Sequence, residues 1–225
     1  MMRDLAAVRA GLEMPLVEAM STQRSIRRVL DEPVDESIVL RCIELALKAP
    51  TGSNGQNWEF VVVRDPEVKA GIAAQYRRAW PVYRRLGHRL VGVAADEKLE
   101  RMHAAVTWQV EHFEELPVIV VACLRGGRVP LLPSPKIALS SYYGSIYPSV
   151  QNLLLGARSM GLGASLITLP LWSSVWSRHL LGLPVSVTPV CLVALGWPQG
   201  GYGPTTRKPV GEVVHVDRYG NQPYR

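Results

Sequence analysis

Cysteine is scarce in this chain. Cys42, Cys123 and Cys191 are the three in 225 residues, far apart and each in apolar surroundings. None stands at a metal-ligand spacing from another, which excludes a zinc ribbon or a disulfide scaffold and leaves buried free thiols in a reducing compartment. No apolar run approaches the ~18 residues of a membrane helix; the longest lies near Pro117–Leu124. Arg3, Asp4, Arg9, Glu13 and Glu18 interrupt the first twenty residues, so no export signal is visible there. A cytoplasmic location with no membrane partner is the expectation. Several chemical signatures are missing as well. After Gly161-Leu162-Gly163 the third glycine of a dinucleotide fingerprint would fall at Leu166. Gly196 and Gly201 have phosphate-loop spacing, but Tyr202 stands where lysine belongs. No Gly-x-Ser-x-Gly elbow occurs. His103 and His112, nine apart, fall on opposite faces of one helix, and no metal site is expected.

What is present describes a chain able to bury a core. Hydrophobic residues make up 48% and charged residues 20%, and a net charge of +6 favours anionic ligands. Asp35 fits an N-cap, with Val39, Cys42, Ile43, Ala46 and Leu47 at helical spacing before Pro50. Asn57–Arg64 alternates as a strand and stops at the Asp65-Pro66 turn signal. Leu99–Glu115 reads as a helix with a Met102, Val106, Val110, Phe113 stripe, and Pro117–Leu124 as a strand covered on both faces. Residues 125–141 read as a loop. Ile146, Val150, Leu153, Leu154 and Ala157 mark another helix, with Pro148 in its first turn. A strand at Ala164–Thr168, a short helix at Ser173–Leu181 and a strand at Val187–Leu195 follow. No boundary divides residues 1–225, so one domain is expected, with a helical extension over about 1–20. A tail over about 197–225 wraps either this chain or a partner.

Two stretches carry candidate chemistry. Gln23-Arg24-Ser25-Ile26-Arg27-Arg28 places guanidinium groups and a hydroxyl within reach of one phosphate. A solvated basic turn has the same composition. Pro50-Thr51-Gly52-Ser53-Asn54-Gly55-Gln56-Asn57-Trp58 joins a helix to a strand and offers two side-chain amides, each able to give one donor and one acceptor to a planar heterocycle. A helix-capping turn uses the same glycines.

Taken in order, these stretches resemble the FMN-dependent nitroreductase family. The landmarks are the Arg-Ser-x-Arg cluster and the Asn-x-Gln-x-Trp loop about 25 residues later. Ala157-Arg158-Ser159-Met160-Gly161-Leu162-Gly163, Val193-Ala194-Leu195-Gly196-Trp197-Pro198 and Arg207-Lys208-Pro209 follow. Gln23 stands where the family usually has arginine, and Asn57 where it has proline. The resemblance implies an α+β fold, with a central, mainly antiparallel sheet flanked by helices, in an intertwined homodimer holding two FMN molecules at its interface. It implies that Arg24, Ser25 and Arg27 hold FMN, with Arg27 near the N1/O2 side of the ring. Asn54 and Gln56 would meet the ring edge or ribityl chain. The backbone at Leu166, Thr168 and Leu169 would lie along the ring near N5, and Arg207 with Lys208 would reach the phosphate.

The implied activity is hydride transfer from NADPH or NADH to small, planar, electron-poor acceptors, nitroaromatics or quinones, by a ping-pong mechanism in which flavin N5 does the chemistry. No side chain is assigned as a catalytic acid or base. An FMN-sequestering protein without enzymatic activity, its ring face covered by 125–141 or the basic stretch, is an alternative. A dehalogenating or flavin-cleaving relative is another. Tyr76–Leu90 interleaves Arg77, Arg78, Arg84, Arg85 and Arg89 with Tyr76, Trp80 and Tyr83. A solvated helix face and a basic flap attracting the extra phosphate of NADPH are the two main readings; nucleic-acid binding by stacking is the weakest. The aromatics of Tyr142-Tyr143-Gly144-Ser145-Ile146-Tyr147, like Trp172 and Trp176, suit either a substrate pocket or core and interface packing.

Overall fold

The computed structural model describes residues 3–90, 96–126 and 135–225. The chain opens with α1 (Leu5–Ala10) and α2 (Leu16–Thr22) and runs through an extended segment into α3 (Glu36–Ala46), which Asp35 caps by accepting the Ser37 N–H at 2.8 Å. β1 (Trp58–Val63) follows. The strand stops at Asp65-Pro66 as the turn signal implies, and the same pair begins a helix: the Asp65 carboxylate accepts the Val68 N–H at 2.9 Å and Pro66 opens α4 (Pro66–Leu90). α5 (Glu97–Glu111), β2 (Val118–Arg125), α6 (Pro135–Ser159), β3 (Gly163–Ile167), α7 (Ser174–Leu180) and β4 (Val187–Gly196) complete the order.

Among the described residues the strands form one sheet in the order β1-β2-β4-β3, every neighbouring pair antiparallel. β2 is buried on both faces because both are covered. Val118, Val120, Ala122 and Leu124 join the core made with α3 and α6; Ile119, Val121 and Cys123 join the core made with α4 and α5. Each fully buried aliphatic side chain stabilises the fold by about 1.5–3 kcal/mol. Cys42, Cys123 and Cys191 lie unoxidised inside these cores. The β2–β4 register shifts between Ala122 and Cys123, which pair with Cys191 and Pro189. Pro189 has no N–H for the ladder, and a bulge accommodates it in an inner strand.

Three expectations are corrected. α6 starts at Pro135, inside the stretch read as a loop over 125–141 (residues 127–134 lie outside the described ones). Pro148 therefore sits in mid-helix rather than in a first turn. Close to the break that its missing N–H makes in the ladder, the Ser145 carbonyl accepts the Trp58 indole N–H at 2.8 Å. On α5 the core stripe is Leu99, His103, Val106 and Val110, whereas Met102 is 37% exposed. Met102 is one position away from His103, and packing against Trp80 draws the imidazole inward instead. α6 ends as its glycine dictates: Gly161 has φ +78°, the Leu162 N–H reaches Ala157 O at 2.8 Å and the Gly161 N–H reaches Arg158 O at 3.1 Å.

Candidate functional site

The basic cluster follows α2 as an extended segment laid against the free edge of β3. Ser25 bridges Ala164, and the Ile26 N–H donates to Ala164 O at 3.0 Å. Further on, the Leu30 N–H donates to Trp197 O at 2.8 Å. Such close approach requires glycine on the sheet: a Cβ at Gly163 would lie 2.6 Å from Ile26. The C-terminal tail returns along the same segment, with the Gln199 N–H on Arg28 O at 3.2 Å and the Thr205 N–H on Ser21 O at 2.9 Å. Two distant parts of the sequence thus meet beside one sheet edge.

Between them and α5 lies an open cavity of about 1320 Å³. Arg24, Ser25, Arg27 and Arg28 form one wall, Gln199, Gly200, Gly201 and Thr206 of the tail a second, and the first turns of α5 the third. Among the described residues no ion pair involves Arg24, Arg27 or Arg28. Arg28 stands over the Trp108 ring at 5.6 Å. Burial depresses the pKa of the half-buried Arg27 guanidinium, Tyr76 opposes that, and Arg24 depresses it further. Burial pushes the neighbouring Tyr76 phenol up to about 12 against the pull of Arg27. Arginine keeps its proton at any ordinary pH, so the wall is a concentration of positive charge without a counter-ion.

A buried cation fastens the tail here. Arg158, at the end of α6 and 9% exposed, donates from Nε to Thr22 Oγ1 at 2.8 Å, lies 3.7 Å from Glu18 and stacks 3.9 Å from the Tyr202 ring. Arg207 and Lys208 follow the cavity-lining Thr206 but are exposed, and Arg207 donates to the Thr206 carbonyl at 2.8 Å.

Beyond Ala164 the edge of β3 is open. Leu166 and Thr168 are exposed, Leu169 is half-buried in a short turn, and Ser165, just before them, points inward to Gln109 at 2.8 Å. The main chain of Ala164 faces the Ser25 segment, so by the two-residue period that of Leu166 faces the same side.

Asn54 and Gln56 are elsewhere. Their loop leans on α6 through the Gly52 N–H to Ser145 Oγ at 3.2 Å, and Gln56 Nε2 donates to Asn54 Oδ1 at 3.2 Å. Ser53, Asn54 and Gln56 all have positive φ, a strained arrangement that clusters at functional sites. The loop leads into β1, at the sheet edge opposite β3. Three interstrand spacings, about 14 Å, separate the two edges, and the cavity wall includes neither amide. One chain does not bring all the expected residues together.

Sequence reasoning quoted Arg28 and Arg158 within their stretches but gave neither a role of its own, and it missed Tyr202 and the α5 wall of Lys98, Arg101, Met102 and Ala105. The i, i+3, i+4, i+7 spacing of the last four was a readable signal. The basic α4 stretch is correspondingly less available. Tyr76 and Trp80 are 2% and 5% exposed, so they present no stacking platform, while Arg77 pairs with Glu114 at 2.6 Å and Arg84 with Glu100 at 4.0 Å. The side chain of Arg89 lies outside the described residues. No helix among them is long and apolar enough to cross a membrane, and no group of metal-ligating side chains occurs among them.

The model of the Nitroreductase family matches residues 20–197, from the end of α2 through the last strand. The chain belongs to the nitroreductase family. Within it, the chain is 30% identical over 210 residues to NADH dehydrogenase of Thermus thermophilus, covering 89% of this chain and 97% of that one. It is 29% identical over 187 residues to iodotyrosine deiodinase 1 of Rattus norvegicus, covering 82% of this chain. The chain spans 62% of that rat protein and 66% of the human one. The nitroreductase fold extends to solved structures. Oxidized iodotyrosine deiodinase bound to FMN and 3-iodo-L-tyrosine superposes at a TM-score of 0.72, with 20% identity, over 91% of this chain and 100% of that one. A putative NADH dehydrogenase/NAD(P)H nitroreductase from Parabacteroides distasonis superposes at 0.65, with 20% identity, over 91% and 98%.

Proposed function

We propose that this nitroreductase-family chain is an FMN-dependent oxidoreductase that passes a hydride from NAD(P)H to nitroaromatic or quinone-like acceptors by a ping-pong mechanism. The observation that carries this is the uncompensated wall of Arg24, Ser25 and Arg27 beside the open edge of β3. These residues fit FMN. The Arg24 guanidinium and the Ser25 hydroxyl suit a phosphate monoester, the Arg27 guanidinium suits the polar edge of a planar heterocycle, and the open edge of β3 at Leu166 lies beside them. Bound FMN supplies the two-electron redox chemistry, which removes the need for a side-chain acid or base.

The chain's own residues bind and polarise. Arg24 and Ser25 hold the phosphate, and Arg207 and Lys208 swing in from the adjacent tail. Arg27, half-buried and next to Arg24, presents a cation where solvent screens it least, which favours the form of the cofactor that carries more negative charge. Asn54 and Gln56 complete the site of a second copy, because the sheet separates them from their own chain's cavity. The assembly is therefore a homodimer. Exposed Leu139, Tyr143 and Tyr147 on α6 offer an apolar surface for it.

A second reading, reductive removal of halogen from a halogenated phenol, is favoured by the similarity to iodotyrosine deiodinases over 82–88% of the chain. One experiment separates the two. The purified protein, yellow or reconstituted with FMN, is mixed anaerobically with NADPH or NADH and then with a quinone, a nitroaromatic or 3-iodotyrosine. Bleaching of the flavin absorbance and fastest recovery with quinone or nitroaromatic is expected. Fastest recovery with 3-iodotyrosine replaces the first reading by the second; a colour that NADPH and NADH never bleach excludes the first, and the second is then tested by reducing the flavin with dithionite before adding 3-iodotyrosine.

A further inference from the structure

α5 has two working faces. Leu99, His103, Val106 and Val110 enter the core, while Lys98, Arg101, Met102 and Ala105, at i, i+3, i+4 and i+7, line the large cavity. The cavity face is cationic in its first turn and apolar in its second. Across the cavity stand Arg24, Arg27 and Arg28, so five cations surround it. The carboxylate in its lining, Asp96, is committed to capping α5, accepting the Leu99 N–H at 2.8 Å. The cations of α5 face those of the Arg24 wall across the open cavity. Among the described residues, one phosphate held at that wall leaves Lys98 and Arg101 without an anion of their own beyond the exposed Glu97.

We propose that Lys98 and Arg101 form a second anion subsite, which takes the 2′-phosphate of NADPH and makes the protein discriminate NADPH from NADH. This assignment rests on the proposed oxidoreductase reading. It moves the phosphate contact from the described α4 arginines, none of which lines the cavity, to α5. Arg101 is itself held by Glu97 at 3.2 Å, an exposed i, i+4 pair that a dianionic phosphate outcompetes. Met102 and Ala105, one turn further along, give the flat part of the same ligand an apolar surface.

The test measures binding of 2′,5′-ADP and 5′-AMP, which differ by that phosphate and undergo no redox reaction, by calorimetry on the purified protein. Wild type is expected to prefer 2′,5′-ADP. Lys98→Gln/Arg101→Gln is expected to lower that preference by roughly tenfold or more, since a charge-assisted contact is worth about one such factor. Arg77→Gln/Arg78→Gln removes the same charge outside the cavity and is expected to leave the preference intact. An unchanged preference in the α5 variant, or an equal loss in both variants, overturns the subsite. A protein that prefers 2′,5′-ADP through Lys98 and Arg101 yet takes up no FMN removes the proposed function while leaving the subsite standing.

Discussion

Replacing Tyr202 separates what its ring does from what its hydroxyl does. The ring covers the buried Arg158 guanidinium at 3.9 Å, and the hydroxyl is buried with no hydrogen-bond partner among the described residues. A desolvated cation–π contact is worth about 2 kcal/mol, and a buried unsatisfied hydroxyl costs about 1–3 kcal/mol. Tyr202→Leu loses the stack and the orphan oxygen together, so it is expected to be about 2 kcal/mol less stable than Tyr202→Phe, a difference of roughly 4–8 °C in Tm for a chain of this size. Tyr202→Phe keeps the ring and drops the orphan oxygen, so it is expected to be neutral or stabilising by up to about 1 kcal/mol. Urea unfolding at fixed protein concentration gives both values, provided the m-value does not change. Because the stack fastens residues 199–206 over the cavity, Tyr202→Leu is also expected to weaken FMN binding, read by quenching of flavin fluorescence. A Tyr202→Phe variant that loses more than about 1 kcal/mol would refute the reasoning by showing that the hydroxyl has a partner in solution. A Tyr202→Leu variant as stable as Tyr202→Phe would refute the stack.

Other outcomes are expected on the same grounds. Arg27→Gln removes a half-buried cation and lowers the two-electron reduction potential of bound FMN by roughly 30–60 mV, measured by dye-coupled titration. Burial raises the Cys42, Cys123 and Cys191 thiols to about 12 from an ordinary 9.0, and the Tyr76 and Tyr202 phenols to about 12 from 10.0. The unfolded chain then releases these protons first. Stability is complete below pH 9 and falls as pH rises towards 12, which urea midpoints between pH 8 and pH 11 will show. Gly163→Ala puts a Cβ 2.6 Å from Ile26 and is expected to cost about 1–3 kcal/mol and to reduce FMN retention, since the basic segment must shift.

The order of strands and most helices was legible before any fold was known, because alternation and helical spacing are local properties. The β-branched run of β2, the Asp35 cap and the Gly161 stop each have a cause within a few residues of themselves. The Arg24–Arg27 cluster and the strained amide loop were legible as chemistry for the same reason. α4 and the first part of α6 were hidden by Asp65-Pro66, Pro135 and Pro148, since proline ends some helices and begins others. Which of these applies depends on what packs against the next turns.

Sequence by itself determined that this is an α+β chain of the nitroreductase pattern with a basic N-terminal cluster. Only the tertiary structure decided where the partners of that cluster stand. It laid residues 25–30 and the tail together beside β3, turned Met102 from the core to the cavity, buried Tyr76 and Trp80, and put Asn54 and Gln56 at the far edge of the sheet. Periodicity fixes which face of an element is apolar, but the identity of the neighbour on that face is set by contacts between residues far apart in sequence, and no local pattern encodes them.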